Sequence, residues 1–280
     1  MSKKIGGYAG KILRINLSSS ETYSEITLNY ARDWLGGAGI GQRILYQEVK
    51  QGVTPYSPAN VLSFGAGPLV GTLAPGAVRL SADSMNGLTL GVGNSNCCGP
   101  FAYTLKYAGF DQIVLKGKAR RPVYLWIDNG KVEIRDASHL WGKTTWETLD
   151  LVREELGDQR IQTLSIGPAG ENLVRGACII GGKDRALGRC GLGGVMGAKN
   201  LKAVAVRGGG AIEIAEPERF LSAVDRTVES HGRSEKIKGL IRYGSPGALE
   251  SKQSACGLLY KNFQDLVVPD DFIQRLNCED

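Results

Sequence analysis

LSFGAGPL, residues 62–69, has a counterpart in LSIGPAG, residues 164–170. In both stretches a short apolar strand is predicted to run into a turn, because glycine and proline interrupt regular structure. Arginine follows among small residues in each case, Arg79 after the first stretch and Arg185 with Arg189 after the second. Each half then closes with a lysine-bearing turn and an apolar strand ending in glycine, LKYAGFDQIVLKG at 105–117 and GAKNLKAVAVRG at 197–208. The doubling predicts two related halves that face each other across a pseudo-twofold axis.

The arginine-containing loops predict one anion site in each half. A planar guanidinium makes two parallel hydrogen bonds to a phosphate, and small residues leave backbone N–H groups reachable. Both loops combine arginine with glycine, so we predict a cradle for two anions. The alternative is that the arginines form surface ion pairs and the glycines serve only turns. Cys98 and Cys190 stand beside the two loops, either as packing residues or as redox-active thiols.

Length and composition bound the classes of function. The chain has 280 residues with 42% hydrophobic content, enough for one large domain or one domain plus part of another. The net charge of +6 comes without a block of like charges, which favours a solvated surface face or a field for phosphate-bearing ligands over a nucleic-acid arm. The start of the chain lacks an apolar signal core, and no run approaches ~18 apolar residues. We therefore expect a cytoplasmic protein with no membrane and no nucleic-acid partner.

Known metal and catalytic motifs are absent from the sequence. The six cysteines, at 97, 98, 178, 190, 256 and 278, form no C-x-x-C pair, which argues against a zinc knuckle or a self-contained iron-sulphur site. The GKT at 142–144 lacks the first glycine of a P-loop, since Ala137 stands at that position, and is predicted to begin a helix. No G-x-G-x-x-G, nucleophile elbow or H-E-x-x-H pattern occurs. No self-sufficient catalytic constellation is visible.

Local patterns predict the elements around the loops. Alternation over 10–17 with a return over 22–26 indicates a hairpin, and a second hairpin is predicted over 122–135 around Asn129 and Gly130. Residues 144–156 have the apolar spacing of an amphipathic helix that ends near Gly157. The polar stretch 94–99 is predicted to be a loop that follows an apolar strand. After three glycines at 208–210 the composition becomes polar and helical, so a domain boundary is predicted between 211 and 212.

Taken in order, six segments resemble the N-terminal domain of the aldehyde ferredoxin oxidoreductase family of tungsten enzymes: residues 6–17, 65–69, 105–111, 133–143, 165–174 and 195–204. The resemblance continues weakly through 242–245 and 261–264. It implies an α+β, β-rich fold of two related six-stranded sheets in a pseudo-twofold, pseudo-barrel arrangement with a few helices. Residues 1–211 would form the tungstopterin-binding domain, and 212–280 would begin a truncated helical domain. The sheets would form a base for a tungsten bis-pyranopterin whose phosphates are bridged by Mg²⁺.

The resemblance assigns roles by position. Asn96 and Ala186 would offer backbone carbonyls to the Mg²⁺, a hard ion that takes oxygen ligands. Cys98 and Cys190 stand where the family prefers glycine. The residues implied in cofactor binding are Arg79, Asn96, Cys98, Arg185, Ala186, Gly188 and Arg189.

The function implied by the resemblance is oxidation of an aldehyde to a carboxylic acid. Electrons would pass through a 4Fe-4S cluster to ferredoxin or another iron-sulphur subunit. The cluster ligands and the catalytic acid of the family lie beyond residue 280 in its usual layout, so this chain is expected to bind the cofactor without being catalytic alone. Two alternatives stay open: the platform of an aromatic acyl-CoA reductase of the same family, and a non-catalytic accessory or truncated domain that binds a phosphorylated ligand. A homo-oligomer is compatible with the sequence.

Overall fold

The structure is a computed structural model that describes residues 6–276. The chain divides into two compact units, the first ending at Pro217 and the second beginning at Glu218. The domain boundary between 211 and 212 stays a prediction from the sequence. Each unit is described by itself below.

The first sheet contains six strands in the order β2-β1-β6-β3-β4-β5. The strands are β1 (Lys11–Asn16), β2 (Glu21–Ile26), β3 (Leu62–Ala66), β4 (Arg79–Met85), β5 (Val92–Cys98) and β6 (Gln112–Lys116). Strand β1 pairs parallel with β6, and the other neighbouring strands pair antiparallel.

The second sheet repeats this plan. Its strands are β7 (Val123–Asp128), β8 (Lys131–Asp136), β9 (Gln162–Ser165), β10 (Ile179–Gly181), β11 (Arg185–Leu187) and β12 (Leu201–Arg207). Read from β8, the order is β8-β7-β12-β9-β10-β11, so each strand occupies the place of the strand six earlier in the chain. Strand β7 pairs parallel with β12, and the other pairs are antiparallel, as in the first sheet. The prediction of two related six-stranded sheets is confirmed.

The helices of the first unit repeat as well. They are α1 (Leu28–Ala31), α2 (Ala38–Glu48), α3 (Pro100–Tyr107), α4 (Thr145–Leu156), α5 (Pro168–Glu171) and α6 (Leu192–Ala198). Helices α2 and α4 follow the first hairpin of their sheets, and α3 and α6 precede the last strand. The duplication therefore covers strands, pairing directions and two of the connecting helices.

Local sequence signals explain two of these elements. The β7–β8 hairpin turns at Asn129 and Gly130, whose φ angles of 46° and 90° are those that a tight turn requires. Helix α4 begins with a capping box in which the Thr144 side chain and Glu147 satisfy each other's backbone N–H groups. The GKT at 142–144 is thus the start of a helix, as predicted.

One apolar core joins the two sheets, and it includes Phe64 and Leu80 from the first sheet with Leu125 and Leu164 from the second. Two buried lysines brace this unit. Lys106 donates to three backbone carbonyls of the first half. Lys199, at the end of α6, donates instead to the carbonyls of Pro58, Asn60 and Gly117 across the junction between the halves. Hydrogen bonds satisfy both buried ammonium groups, and those of Lys199 hold the two halves against each other.

The second unit is helical. Its helices are α7 (Pro217–Arg233), α8 (Glu235–Tyr243), α9 (Leu249–Ser254) and α10 (Asp270–Gln274), with a short 3₁₀ turn at Ser245–Ala248. Among its described residues the buried apolar side chains are Val268 and Ile273. The prediction that helices follow the two sheets is confirmed, and the prediction that 212–280 begin a truncated domain stays a prediction. Across residues 6–276, no helix combines the length and the apolar character needed to cross a membrane.

Candidate functional site

The edge strands of the two sheets meet at one place on the first unit. Strand β5 ends the order of the first sheet, and β11 ends that of the second. Past β11 the chain runs beside β5, because the Arg189 N–H donates to Ser95 Oγ at 3.1 Å. The thiol of Cys190 lies 3.7 Å from the Asn94 carbonyl oxygen, at the same junction. The candidate site is built on these two edges.

Arg79 and Arg185 approach the end of β5 from its two sides. Arg79 is exposed, begins β4 and faces Cys98 in the antiparallel register. Arg185 begins β11, and its side chain lies against Gly99, where an added Cβ would be 3.1 Å from Arg185 Cγ. Gly99 has a φ of 140°, a conformation that favours glycine. Arg79 and Arg185 therefore both lie next to the end of β5, at Cys98 and Gly99.

Arg79 and Arg185 both act electrostatically on the buried Cys97 thiol. Burial raises the pKa of Cys97 to about 11, and the positive charges of Arg185 and Arg79 both act against that rise. A small hollow at this place is lined by Cys97, Gly99 and Arg185 among others. Arg185 also pairs with Asp184 at 3.4 Å, but both side chains are exposed and this contact is weak.

The remaining predicted site residues lie on the same strip of surface. Asn96 on β5 faces Ser81, and Ala186 on β11 faces Ile180. Asn96 and Ala186 are both exposed, as are Gly188 and Arg189, while Cys98 is half-buried. Asn96 and Cys98 lie on β5, Arg185 and Ala186 on β11, Gly188 and Arg189 just after β11, and Arg79 on β4 next to β5. Their binding roles stay predictions.

Two sequence-based expectations about this site are wrong. The arginines are not symmetric partners, because Arg79 lies on β4, whose counterpart is β10, whereas Arg185 lies on β11, the counterpart of β5. The stretch 94–99 is not a loop after a strand, since its residues up to Cys98 are strand β5 itself. The strand was not predicted because its polar side chains resemble a loop sequence. They alternate because one face of the β4–β5 ribbon is polar and the other packs in the core.

A row of hydrogen-bonded side chains on that polar face was not predicted from the sequence. We call it the polar ladder; it consists of Asp83 and Ser81 on β4 with Asn94 and Asn96 opposite them on β5. Asp83 is fully buried, and burial raises the pKa of its carboxyl to about 6 against the hydrogen bonds that it accepts. The only sequence signal was the period-two spacing of polar residues in two adjacent strands.

Side-chain metal ligands are not grouped at the site. Between residues 6 and 276 no three His, Cys, Asp or Glu side chains lie close enough together to hold a metal ion. The cysteines within that range are free thiols, and Cys278 lies outside the described residues. Any metal held by the predicted residues would need backbone carbonyls and the oxygens of its own ligand.

The first unit is therefore a domain of two related six-stranded sheets, with exposed arginines where their edge strands meet. Residues 12–208 match the model of the aldehyde ferredoxin oxidoreductase N-terminal domain. The chain belongs to the aldehyde ferredoxin oxidoreductase family.

Relatives and a solved structure extend this match. The chain is 44% identical to the tungsten-containing aldehyde ferredoxin oxidoreductase of Pyrococcus horikoshii over 85% of its own length and 40% of that protein. It is 42% identical to the Pyrococcus furiosus protein of the same name over 94% of its length and 44% of that protein. The active-site complex BamBC of benzoyl coenzyme A reductase, solved with 1,5-dienoyl-CoA, is 39% identical with a TM-score of 0.80, over 82% of this chain and 35% of that one. The chain therefore spans about two fifths of the length of these relatives.

Proposed function

We propose that the first unit is the base on which a tungsten bis-pyranopterin lies in a larger oxidoreductase. The observation that carries this proposal is the convergence of Arg79 and Arg185 on the Cys98 and Gly99 backbone. Two exposed guanidinium forks on one surface suit a ligand with two phosphate groups. We propose tungsten as the metal because the relatives are named as tungsten-containing enzymes.

The residues present fit such a ligand. Gly99 leaves open the place where a side chain would meet Arg185, and the exposed Gly188 has only Cys178 Sγ within reach, at 3.8 Å from an added Cβ. Flat ring systems need this close approach to backbone. Arg79 would contact one pterin, and Arg185, Gly188 and Arg189 the other.

Magnesium would be held between the two edges. Asn96 on β5 and Ala186 on β11 are exposed on facing strands, and each would offer a backbone carbonyl to an Mg²⁺ that bridges the pterin phosphates. Magnesium prefers oxygen ligands and is usually held through the phosphates of its partner. The carbonyls would fix the geometry, and the phosphates would supply the charge.

The activity proposed for the whole protein is oxidation of an aldehyde with water to a carboxylic acid, which releases two electrons and two protons. Bound tungstopterin supplies the two-electron chemistry, and the protein positions and tunes it. A 4Fe-4S cluster would pass the electrons to ferredoxin or another iron-sulphur subunit. The residues of this chain bind and orient the cofactor. The cytoplasmic location and a homo-oligomer remain predictions from the sequence.

A second candidate is the equivalent platform of an aromatic acyl-CoA reductase. The observation that favours it is the structural match to benzoyl coenzyme A reductase at 39% identity. Both candidates use the same base for the cofactor, so they differ only in the substrate that the assembled enzyme accepts. Turnover of aldehydes and of aromatic acyl thioesters by the purified protein, with a ferredoxin-type electron carrier, separates them.

Metal and pterin analysis tests the proposal. The protein that carries this chain is purified without oxygen from cells grown with tungstate, then assayed for tungsten by mass spectrometry and for pterin by fluorescence. We expect both to copurify with the protein. Protein with neither would leave the non-catalytic accessory domain as the better account.

A further inference from the structure

The polar ladder connects a buried charge to the exposed site. Asp83 is fully buried on β4, Ser81 is nearly so, and Asn96 at the other end of the chain of hydrogen bonds is exposed. The strand register places Asp83 opposite Asn94 and Ser81 opposite Asn96. All four side chains lie on one face of the ribbon, because residues two apart in a strand share a face.

The hydrogen bonds run in one direction along the ladder. Asn94 Nδ2 donates both of its protons, one to Asp83 Oδ1 and one to Ser81 Oγ, each at 2.7 Å. Asn96 Nδ2 donates to Asn94 Oδ1 at 2.6 Å. Each amide therefore points its nitrogen inward and its oxygen outward.

The carboxylate fixes this direction. An ionised carboxylate accepts hydrogen bonds and donates none, so the NH₂ end of Asn94 must face Asp83. The amide oxygen of Asn94 then points outward and takes the NH₂ end of Asn96. Asn96 Oδ1 is consequently the end of the ladder that faces the exposed strip beside Arg79.

Asp83 itself is held in place by groups from three elements. Ser81 Oγ donates to Asp83 Oδ2 at 3.1 Å, and Gln42 on α2 donates to Oδ1 at 3.3 Å. Gly41 on α2 leaves the room that the carboxylate needs, since an added Cβ would lie 2.6 Å from Asp83 Oδ2. The neighbouring Gln112 keeps a buried Oε1 without a partner. A buried acid in this setting is costly, and such costs are retained mostly at functional sites.

The second half has no equivalent of this device. The counterpart of β4 is β10, and its residues Ile179, Ile180 and Gly181 carry no polar side chain. In the second sheet, Thr163 on β9 is buried and its hydroxyl has no hydrogen-bond partner, so it does not belong to a row of hydrogen-bonded side chains. The ladder is therefore specific to the β5 side of the junction.

We propose that Asp83 is a positioning residue that sets the direction of the Asn94 and Asn96 amides, so that Asn96 presents its side-chain oxygen to the cofactor. This inference rests on the proposed function. The oxygen would accept from an N–H or amino group of the pterin, beside the guanidinium of Arg79. It adds a hydrogen-bond acceptor to a strip whose side chains are otherwise mainly donors.

The test measures the amides directly in the 280-residue chain without cofactor. The chain is labelled with ¹⁵N-asparagine, and solvent exchange of the Asn94 and Asn96 side-chain protons is followed by NMR. In Asp83→Asn the new side chain can donate as well as accept, so the direction is no longer imposed. We expect Asn96 NH₂ exchange to accelerate about tenfold, as loss of one hydrogen bond allows.

Two further variants keep the test decisive. Asn94→Ala cuts the relay in the middle while Asp83 keeps Ser81 and Gln42 as partners, and it should also accelerate Asn96 exchange. Thr163→Val, which alters a buried polar side chain outside the ladder, is the matched control and should leave that exchange unchanged. Unchanged exchange in both folded ladder variants would overturn the proposal.

Cofactor content distinguishes this proposal from the proposed function. Tungsten and pterin are assayed in wild type, Asp83→Asn and Thr163→Val purified under identical conditions, and we expect several-fold lower content only in Asp83→Asn. Wild type without cofactor would defeat the proposed function, while amide exchange would still decide whether the relay exists. Faster exchange with undiminished tungsten and pterin would overturn the role of Asp83 toward the cofactor.

Discussion

Lys199 Nζ lies 2.6 Å from the backbone oxygen of Asn60, with the lysine in one half of the first unit and the carbonyl in the other. The same ammonium group reaches the Gly117 carbonyl at 3.2 Å. Its side chain is almost fully buried, and burial together with the charge of Lys116 lowers its pKa to about 7. This contact is a polar tie between two halves that otherwise share an apolar core.

Replacing this lysine gives the first prediction. Lys199→Met leaves the Asn60 and Gly117 carbonyls without this donor, and an unsatisfied buried acceptor costs about 1–3 kcal/mol. At pH 9 we expect the variant to lose about 2 kcal/mol or more of unfolding free energy in urea denaturation. Lys106→Met is the comparison, because its three carbonyls all belong to the first half. A loss below about 0.5 kcal/mol for Lys199→Met would contradict the tie.

The difference between wild type and Lys199→Met should also depend on pH. The pKa of Lys199 in the folded chain, about 7, lies below its value in the unfolded chain, so between the two the unfolded state binds more protons. Wild-type stability therefore gains from this group as the pH rises above 7. We expect the advantage of wild type to grow from pH 6 to pH 9, by at most about 1.4 kcal/mol per unit. A difference that stays level or shrinks would show that Lys199 keeps its proton.

Ionisation of Asp83 should change stability with pH in the direction opposite to Lys199. Its folded pKa of about 6 lies above the unfolded value, so between the two pKa values the folded state binds more protons and stability falls as the pH rises toward 6. Asp83→Asn cannot ionise and escapes that loss. We expect the variant to gain up to about 3 kcal/mol relative to wild type between pH 4 and pH 7.5, measured by urea unfolding. A variant that loses stability against wild type over that range would mean that the carboxylate is stabilising.

The two arginines should be needed for cofactor binding and not for folding. Both are exposed, so Arg79→Ala with Arg185→Ala should leave the urea midpoint nearly unchanged. Each charged hydrogen bond lost costs about 1.5–3 kcal/mol of binding, and tungsten and pterin content should fall accordingly. Arg160→Ala removes another exposed arginine, one that pairs with Asp158, and should not affect that content. Unchanged tungsten and pterin content in the double variant would contradict the proposal that these two arginines bind the cofactor.

Gly99 should be sensitive to the smallest substitution. In Gly99→Ala, a φ of 140° strains the new residue, and its Cβ meets Arg185 Cγ at 3.1 Å. We expect about 1–3 kcal/mol of destabilisation together with reduced cofactor content. Gly67→Ala is the control, because nothing lies within 4 Å of an added Cβ there. Equal stability of the two variants would argue against strain at Gly99.

Elements with strong local signals were predictable from the sequence. The Asn129-Gly130 turn and the capping box of α4 depend on a few adjacent residues, and the doubled strands repeat in one order. Trp146 fitted the apolar spacing of α4, yet it is 58% exposed with Nε1 donating to the Lys183 carbonyl. The apolar spacing predicted the helix. It could not predict that Trp146 would contact a loop distant in sequence.

The site was less predictable because its contacts are long-range. Asp83 reads as an ordinary surface acid, since its burial depends on α2 and on β5 packing around it. The unequal placement of Arg79 and Arg185 could not be predicted from the repeat, because strand order matches β4 with β10 and β5 with β11, and the arginine motifs do not follow that order. Resemblance to a family located the residues, and only the fold showed how they lie.

The edge strands β5 and β11 meet in a unit whose two sheets are nearly symmetric, but the two edges carry different side chains. One edge is lined with acid-anchored amides, and the other carries Arg185 and Arg189. A ligand with two similar ends that contacted both edges would therefore have one orientation lower in energy than the other. The duplicated unit is thus asymmetric at the place where its two sheets join.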